Sequence, residues 1–263
     1  MKQIYKNNLL PVYRSEGTGS VVVLIHGFME SQAVWTSFSS ELARNHRVLS
    51  VDLPGHGESG LLEGPGTIEK YAEAIHMIAI EEELSRFFIV GHSMGGYVAL
   101  AFAEKYPSHL TGLCLFHSTP FADSDAKKKD RQATIEQIKQ GKLGVLITRH
   151  FNAVFAEASI ETLQQEIREA AEIAGQMKEE AVIASIEAMA MRKDRSGVMF
   201  AGKIPVLFIA GKEDRLIPVS VTEQIRLPEK SEIRILEHSG HMGMIEEKDE
   251  SLKIVKEFAD KCK

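Results

Sequence analysis

Residues 87–105 read FFIVGHSMGGYVALAFAEK, and this stretch decides the fold. Its first four residues are apolar and predict a buried strand, whereas the segment from Met94 to Lys105 has the composition of a helix. Between them stands Gly-His-Ser-Met-Gly, with Ser93 at its centre. A Gly-x-Ser-x-Gly pattern alone arises by chance in roughly one chain of this length in ten. Its place between a strand and a helix makes the pattern specific.

A serine on a sharp turn between a strand and a helix adopts strained backbone angles that leave its hydroxyl exposed. The residues around it must be small, because a Cβ atom would clash with the tightly folded backbone. Gly91, Gly95 and Gly96 meet that requirement. The stretch therefore predicts that Ser93 is a nucleophile.

Strand and helix patterns alternate on both sides of this stretch. Continuous apolar runs such as Val21–Ile25 are expected of strands that helices cover on both faces. Strands that alternate with helices at this spacing form parallel sheets, so we predict an α/β fold with a mostly parallel central sheet and helices on both faces. The predicted elements are an antiparallel hairpin over 2–14 around Asn7-Asn8, strands over 20–25, 47–51, 87–90 and 113–116, and helices over 35–44, 67–82 and 94–105.

The alternation stops between residues 121 and 202, where the pattern is helical throughout. Apolar residues recur at helical spacing from Ile160 to Ala174 and again from Val182 to Ala190. We predict a helical cap of three or four helices, inserted into a core domain formed by residues 1–120 and 203–263. The core resumes with predicted strands over 204–210 and 233–236 and a final helix over 246–261.

Composition limits the possible partners. The net charge is −6, so the chain lacks the basic field that attracts nucleic acid or anionic lipid. The N-terminal segment lacks the apolar region of a signal peptide, and the sequence has no apolar run of membrane-spanning length. Only two cysteines occur, too few for a disulfide framework. We expect a cytoplasmic monomer or homodimer that acts on a small molecule and binds neither nucleic acid nor membrane.

Further motifs resemble the α/β-hydrolase superfamily in their order, over almost the whole chain. They are His26-Gly27-Phe28, the run DLPGHGES over 52–59, the Ser93 motif, Asp214 after the strand over 204–210, and His241 after the last strand. The resemblance implies a Ser93-Asp214-His241 triad in the chain order that this fold uses. It also implies the serine esterase or lipase branch of the superfamily, with a helical cap.

The chemistry of a triad assigns a role to each residue. His241 removes the proton of Ser93 during attack and later protonates the leaving group, while Asp214 orients the imidazole and stabilises its charged form. The backbone N–H groups of Phe28 and Met94 are the candidate oxyanion hole. An ester substrate would then pass through an acyl-enzyme on Ser93.

Other readings of the sequence are weaker. Residues 55–60 match Gly-x-Gly-x-x-Gly, but the following LLEGPG cannot begin the helix that a dinucleotide site requires, so we expect no nucleotide cofactor. A non-catalytic binding protein on this fold remains a remote alternative. Dehalogenases and epoxide hydrolases differ because they have aspartate where Ser93 stands. A carboxylesterase for small to medium acyl groups fits best, and thioesterase, carbon–carbon bond hydrolase and lyase remain open.

The remaining histidines and the methionines complete the candidate residues. We expect His56 and His92 to be structural, and no metal site, because the other histidines, including His117 and His150, show no metal-ligand spacing. Methionines are suited to an adaptable acyl pocket. The candidates for its lining are Phe28, Met94, Met242, Met244 and, in the cap, Met177, Met189, Met191 and Met199. Most of the cap methionines are nevertheless expected to pack between helices.

Overall fold

A central sheet organises the computed structural model, which describes residues 2–3, 11–61, 63–202 and 204–262. The strands in these residues are β1 (Lys2–Gln3), β2 (Val12–Glu16), β3 (Val21–Ile25), β4 (Arg47–Asp52), β5 (Phe87–His92), β6 (Leu110–Phe116), β7 (Val206–Gly211) and β8 (Glu232–Leu236). They form one sheet in the order β1-β2-β4-β3-β5-β6-β7-β8. β2 pairs antiparallel with β1 and β4, and all other neighbours pair in parallel. The predicted α/β class and mostly parallel sheet are confirmed.

The strand ends differ from the prediction where pairing overrides local propensity. Strand β5 continues beyond Val90 because Gly91 and His92 pair with Leu115 and Phe116 of β6. Glycine and histidine are weak strand formers alone, so the sequence pattern stops two residues early. The β1–β2 pairing agrees with the predicted hairpin over 2–14, whereas its turn at Asn7-Asn8 lies outside the described residues.

Helices cover both faces of the sheet. They are α1 (Thr36–Leu42), α2 (Ile68–Glu81), α3 (Met94–Lys105), α4 (Asp125–Lys139), α5 (Leu143–Val154), α6 (Glu157–Thr162), α7 (Gln164–Gly175), α8 (Glu179–Ala190), α9 (Ser196–Phe200), α10 (Gly243–Glu246) and α11 (Lys248–Lys261). In the core, α2 packs against α3, and α1 packs against α11. The predicted N-cap of α2 is present, because Thr67 Oγ1 accepts a hydrogen bond from Lys70 N–H at 3.1 Å.

The segment between β6 and β7 contains six helices, α4 to α9, in its described part, and our estimate of three or four was wrong. The apolar periodicity from Ile160 to Ala174 continues across the boundary between α6 and α7 at Leu163, so it predicts one helix where two occur. Gly141 likewise separates α4 from α5 with a φ of +76°. Short breaks of this kind leave the hydrophobic period intact and are invisible to pattern reading.

Parallel strands place their carboxyl ends at one edge of the sheet, where the following loops meet. Ser93 follows β5, His117 follows β6, Asp214 lies three residues after β7, and His241 lies in the loop after β8. This edge carries the candidate site. Among the described helices, none is long and apolar enough to cross a membrane.

Candidate active site

The turn between β5 and α3 holds Ser93 in a strained backbone conformation. Its φ is 50° and its ψ is −114°, a region that L-residues rarely occupy. Ser93 N–H donates to Phe116 O at 3.0 Å, and Ser118 Oγ donates to Ser93 O at 2.8 Å. These bonds tie the turn to the end of β6, so the surrounding structure maintains the strain.

The glycines of this turn are required by close backbone contacts. A Cβ on Gly91 would lie 2.3 Å from Gly95 O, and one on Gly95 would lie 2.5 Å from Ile25 O. A Cβ on Gly96 would lie 2.2 Å from Ser118 Oγ. None of these distances is compatible with a methyl group, so the turn matches the expectation drawn from the sequence.

His241 and Asp214 form a buried hydrogen-bonded pair at the candidate site. His241 Nδ1 and Asp214 Oδ2 are 2.7 Å apart, and Asp214 Oδ1 accepts the backbone N–H groups of Leu216 and Ile217 at 2.8 and 2.9 Å. Burial alone would raise the pKa of Asp214, but the neighbouring imidazoles hold that pKa well below its ordinary value. Burial alone would lower the pKa of His241, but the Asp214 carboxylate raises it above 6.5. An ionised Asp214 therefore fixes the Nδ1–H tautomer of the neutral His241.

A second imidazole contacts the same carboxylate, and sequence reasoning missed it. His117 Nδ1 lies 3.3 Å from Asp214 Oδ2. Burial lowers the pKa of His117 to about 4, so the neutral ring donates its Nδ1–H to Asp214. The available signal was position, because His117 directly follows β6 at the sheet edge that carries Ser93 and Asp214.

Ser93 and His241 face one cavity of about 330 Å³, which Phe28 also lines. His241 Nε2 is buried and has no hydrogen-bond partner among the described residues. No hydrogen bond joins it to Ser93 Oγ in the described part of the chain, but such bonds often tighten only when substrate binds. The three predicted catalytic side chains thus meet at one place, with the His241–Asp214 bond already formed.

The loop after β3 presents the first candidate oxyanion donor. His26 Nε2 accepts Leu53 N–H at 3.0 Å, and Gly27 N–H donates to Glu30 Oε2 at 2.7 Å. Met29 has a φ of 61°, which bends the chain immediately after Phe28. Phe28 N–H makes no hydrogen bond within the described residues, and neither does Met94 N–H at the start of α3. Both predicted oxyanion donors are therefore unoccupied.

Glu30 and His92 connect the three loops of the site. His92 Nδ1 lies 3.0 Å from Glu30 Oε2, and His92 Nε2 lies 2.9 Å from His241 O. Burial alone would raise the pKa of Glu30, but the adjacent His92 lowers it to about 2, so Glu30 is ionised. Both ring nitrogens of His92 are thus within hydrogen-bond distance of an oxygen, on Glu30 and on His241. His92 is structural as predicted, and Glu30 was not anticipated.

The glycine-rich run over 55–60 forms a turn and does not resemble a dinucleotide site. Gly55 N–H donates to Gly60 O at 2.8 Å, and the next helix begins only at Ile68. His56 is buried within this turn, and its Nδ1 lies 3.2 Å from Pro54 O. Its structural role agrees with the prediction.

Few of the candidate pocket residues line the cavity of Ser93, in keeping with the expectation that most cap methionines pack elsewhere. Of the eight candidates, Phe28 and Met189 line the cavity with Ser93. Met242 and Met244 line a separate cavity of about 520 Å³, and Met177 lines another. The others are buried in the core or, for Met191, largely exposed. Helical periodicity does not tell which side of a short helix faces a cavity, so the sequence could not separate these cases.

One set of described side chains offers metal-ligand atoms at close range. An atom each of His117, Asp214 and His241 lies within 4.8 Å of the others. The two imidazoles contact one carboxylate oxygen at hydrogen-bond distances, 2.7 and 3.3 Å. Hydrogen bonding accounts for this geometry, and the absence of a metal site stays a prediction.

A family model described as the alpha/beta hydrolase fold matches residues 20–248. The chain belongs to the α/β-hydrolase family. The match spans strands β3 to β8, the turn at Ser93 and the loops with Asp214 and His241, so the family resemblance drawn from the sequence is confirmed.

Several relatives of this α/β-hydrolase are hydrolases. A thermophilic esterase from Thermogutta terrifontis, solved with malate bound, has a TM-score of 0.92 and 27% identity, covering 97% of this chain and 94% of that one. Lipase 1 of Psychrobacter immobilis is 27% identical over 94% of this chain and 80% of its own length. These similarities support a hydrolase.

A further relative has another function. The dihydrolipoyllysine-residue acetyltransferase component of the acetoin cleaving system of Pseudomonas putida is 26% identical over 87% of this chain and 60% of its own length. Three mycobacterial relatives, 33% identical over 103 residues, match over 30% of their length. The chain therefore spans less than two thirds of these curated relatives, and the substrate must be argued from its own site.

Proposed function

We propose that this α/β-hydrolase cleaves carboxylic esters of small to medium acyl groups through Ser93, His241 and Asp214. The observation that carries the proposal is the 2.7 Å bond from His241 Nδ1 to Asp214 Oδ2, which leaves Nε2 without a partner beside the cavity of Ser93. A base oriented in this way is what a serine nucleophile requires.

In the proposed reaction, His241 Nε2 takes the proton of Ser93 as Oγ attacks the ester carbonyl. Asp214 stabilises the resulting imidazolium. His241 then protonates the leaving alcohol, which departs and leaves an acyl-enzyme on Ser93. Water repeats the sequence, with His241 as base, and releases the acid.

The carbonyl oxygen becomes negative in both tetrahedral intermediates and requires donors that are already oriented. Phe28 N–H and Met94 N–H make no other hydrogen bond within the described residues, which supports their assignment to this role. Met94 N–H also stands at the N-terminus of α3, where the helix dipole favours negative charge.

We also propose that residues 121–202 act as a cap on a core of residues 1–120 and 203–263. The cavity supports this division, because its walls come from both parts. The core supplies Phe28, Ser93 and His241, and the helices of the insertion supply residues such as Leu146 and Met189. Exclusion of water and choice of substrate would then reside in the insertion.

The proposal is tested with a fluorophosphonate probe and a panel of 4-nitrophenyl esters. We expect the probe to label Ser93, as located by peptide mass spectrometry, and Ser93→Ala to abolish both labelling and nitrophenol release. Ser220→Ala is the matched control, because Ser220 is exposed and does not line the cavity of Ser93, so labelling and nitrophenol release should equal those of wild type. Folded protein that takes no label on Ser93, or wild-type rates in Ser93→Ala, would contradict the mechanism.

The same panel separates the alternative substrates. It includes acyl thioesters and vinylogous diketones, the substrates expected of a thioesterase and of a carbon–carbon bond hydrolase. We expect the highest kcat/KM with oxygen esters of two to eight carbons. A thioester or diketone that is cleaved faster than every ester, with dependence on Ser93, would replace the ester assignment and retain the nucleophile.

A further inference from the structure

The cavity of Ser93 has cationic side chains in its wall, although the chain as a whole carries a net charge of −6. Helix α4 contributes Lys127 and Arg131, and helix α5 contributes Arg149. Asp130 is the one carboxylate that lines this cavity among the described residues. The local charge is thus opposite in sign to that of the molecule.

Arg131 is held in place by a buried carboxylate. Its Nε donates to Asp123 Oδ2, and its side chain is only 14% exposed. No hydrogen bond joins the terminal Nη atoms of Arg131 to any other described residue. A guanidinium fixed through Nε can still present both terminal N–H groups to a ligand.

A second arginine balances the charge of Asp123. Arg192 Nη1 lies 2.6 Å from Asp123 Oδ1, and its guanidinium stacks 4.0 Å above the ring of Tyr97, which lines the cavity. Burial alone would raise the pKa of Asp123, but the two arginines lower it. Asp123 therefore faces two guanidinium groups, and the net charge of these three side chains is positive.

Lys127 and Arg149 add exposed cations around Arg131. Lys127 lies one helical turn before Arg131 on the same side of α4. Within the described residues, neither the ammonium of Lys127 nor the guanidinium of Arg149 forms an ion pair or hydrogen bond. Unpaired cations that line a concave, partly apolar site attract anions more strongly than they would on an open surface.

We propose that this group, the Lys127–Arg131–Arg149 cluster, binds a carboxylate of the substrate, so that the substrate is an ester carrying a free acid. The inference rests on the proposed function, because the acid is recognised beside the Ser93 nucleophile. A planar guanidinium with two available N–H donors matches a carboxylate in two parallel hydrogen bonds. The cavity of about 330 Å³ has room for a small half-ester.

Two substrate pairs test the cluster. The first compares mono-4-nitrophenyl adipate with 4-nitrophenyl hexanoate, which places the acid on the acyl side. The second compares 4-carboxyphenyl butyrate with phenyl butyrate, which places it on the leaving group. Selectivity is the kcat/KM of the acid divided by that of the neutral ester. We expect wild-type selectivity of about tenfold or more in at least one pair, as for a charge-assisted hydrogen bond.

Variants then assign the selectivity to the cluster. Arg131→Gln and the double variant Lys127→Gln/Arg149→Gln should reduce the selectivity toward one, mainly through a higher KM for the acid. Lys128→Gln is the matched control, because this exposed lysine of α4 does not line the cavity, and its selectivity should equal that of wild type. The double variant covers the case in which Arg131→Gln fails to fold, since its two residues are exposed.

The outcomes separate the two proposals. Equal or lower kcat/KM for the acids in both pairs, with normal cleavage of the neutral esters, would overturn the carboxylate site and leave the esterase intact. Selectivity that persists in Arg131→Gln and in the double variant would overturn it as well. Absence of cleavage of all four esters would count against the proposed function itself.

Discussion

Glu30 lies where the three loops with the candidate catalytic groups meet. Glu30 accepts Gly27 N–H in the loop after β3 and bonds to His92 at the end of β5. His92 in turn bonds to the backbone of His241. Glu30, His92 and His241 are all buried, so water cannot replace a lost partner. The Glu30–His92 pair therefore fixes the relative positions of the segments that carry Phe28, Ser93 and His241.

Two substitutions of Glu30 test this positioning role. Glu30→Gln keeps an oxygen that can contact both Gly27 N–H and His92 Nδ1, so we expect kcat within about tenfold of wild type. Glu30→Leu leaves both groups unpaired and should lower kcat by about 10²-fold, the cost of losing one oxyanion donor, with a smaller effect on KM. Steady-state kinetics well below Tm, with circular dichroism to verify folding, provide the measurement. Wild-type kcat in Glu30→Leu would refute the role.

Of the individual residues at the candidate site, the sequence identified only some. Ser93, Asp214 and His241 were found because each follows a strand in a recognisable motif. His117, Glu30 and Arg131 were not, because their roles depend on contacts with residues 62 to 97 positions away or on a cavity that forms only when the insertion packs on the core. Side-chain pairing over such separations leaves no local pattern.

Among the elements, α3 differs from the insertion helices in how closely its glycines are packed. Gly95 lies against the backbone of Ile25, whereas nothing lies within 4 Å of a Cβ placed on Gly175 at the end of α7. The same residue type is thus essential in one helix and replaceable in another. The difference provides a matched pair of substitutions.

We expect Gly95→Ala to destabilise the protein by about 1–3 kcal/mol, because the methyl group forces the nucleophile turn away from β3. Gly175→Ala should be neutral or stabilise by about 0.5–1 kcal/mol, because alanine is the better helix former. Urea unfolding followed by circular dichroism measures both. A Gly95→Ala protein as stable as Gly175→Ala would show that the turn tolerates a side chain.

For the whole molecule, buried neutral histidines link stability to pH. Burial lowers the pKa to about 4 for His26, about 3 for His56 and about 4 for His117, against 6.5 in an unfolded chain. Below pH 6.5 the unfolded chain binds protons that the folded protein excludes, so the free energy of unfolding falls as the pH falls. The raised pKa of His241 has the opposite effect on the free energy of unfolding, but one such residue is outnumbered by the three with lowered pKa values.

We therefore expect Tm at pH 5.0 to lie at least ~5 °C below Tm at pH 7.0, measured by thermal unfolding in buffers of equal ionic strength. His56→Asn keeps a donor for Pro54 O and removes one titrating ring. It should therefore reduce the difference between the Tm values at pH 5.0 and pH 7.0. A Tm that is equal or higher at pH 5.0 would contradict the assignment of these histidines as neutral.

The overall fold was more predictable than the site. The strands, the parallel sheet and the helices of the core follow from runs of apolar residues and from caps such as Thr67, which act over a few residues. The count of insertion helices was wrong because a break at Leu163 preserves the apolar period. Which insertion residues face the cavity depends on packing against the core, and methionine positions alone did not reveal it.

Strands β6 and β7 are hydrogen-bonded neighbours, yet the whole insertion is threaded between them in the chain. Because β6 and β7 run in parallel, the chain leaves the sheet at the carboxyl end of β6 and returns at the amino end of β7, at the opposite edge. A segment of another length or shape could replace the insertion without altering any strand register. Replacement of this one contiguous stretch would therefore change the helical wall of the cavity and leave Ser93, Asp214 and His241 in place.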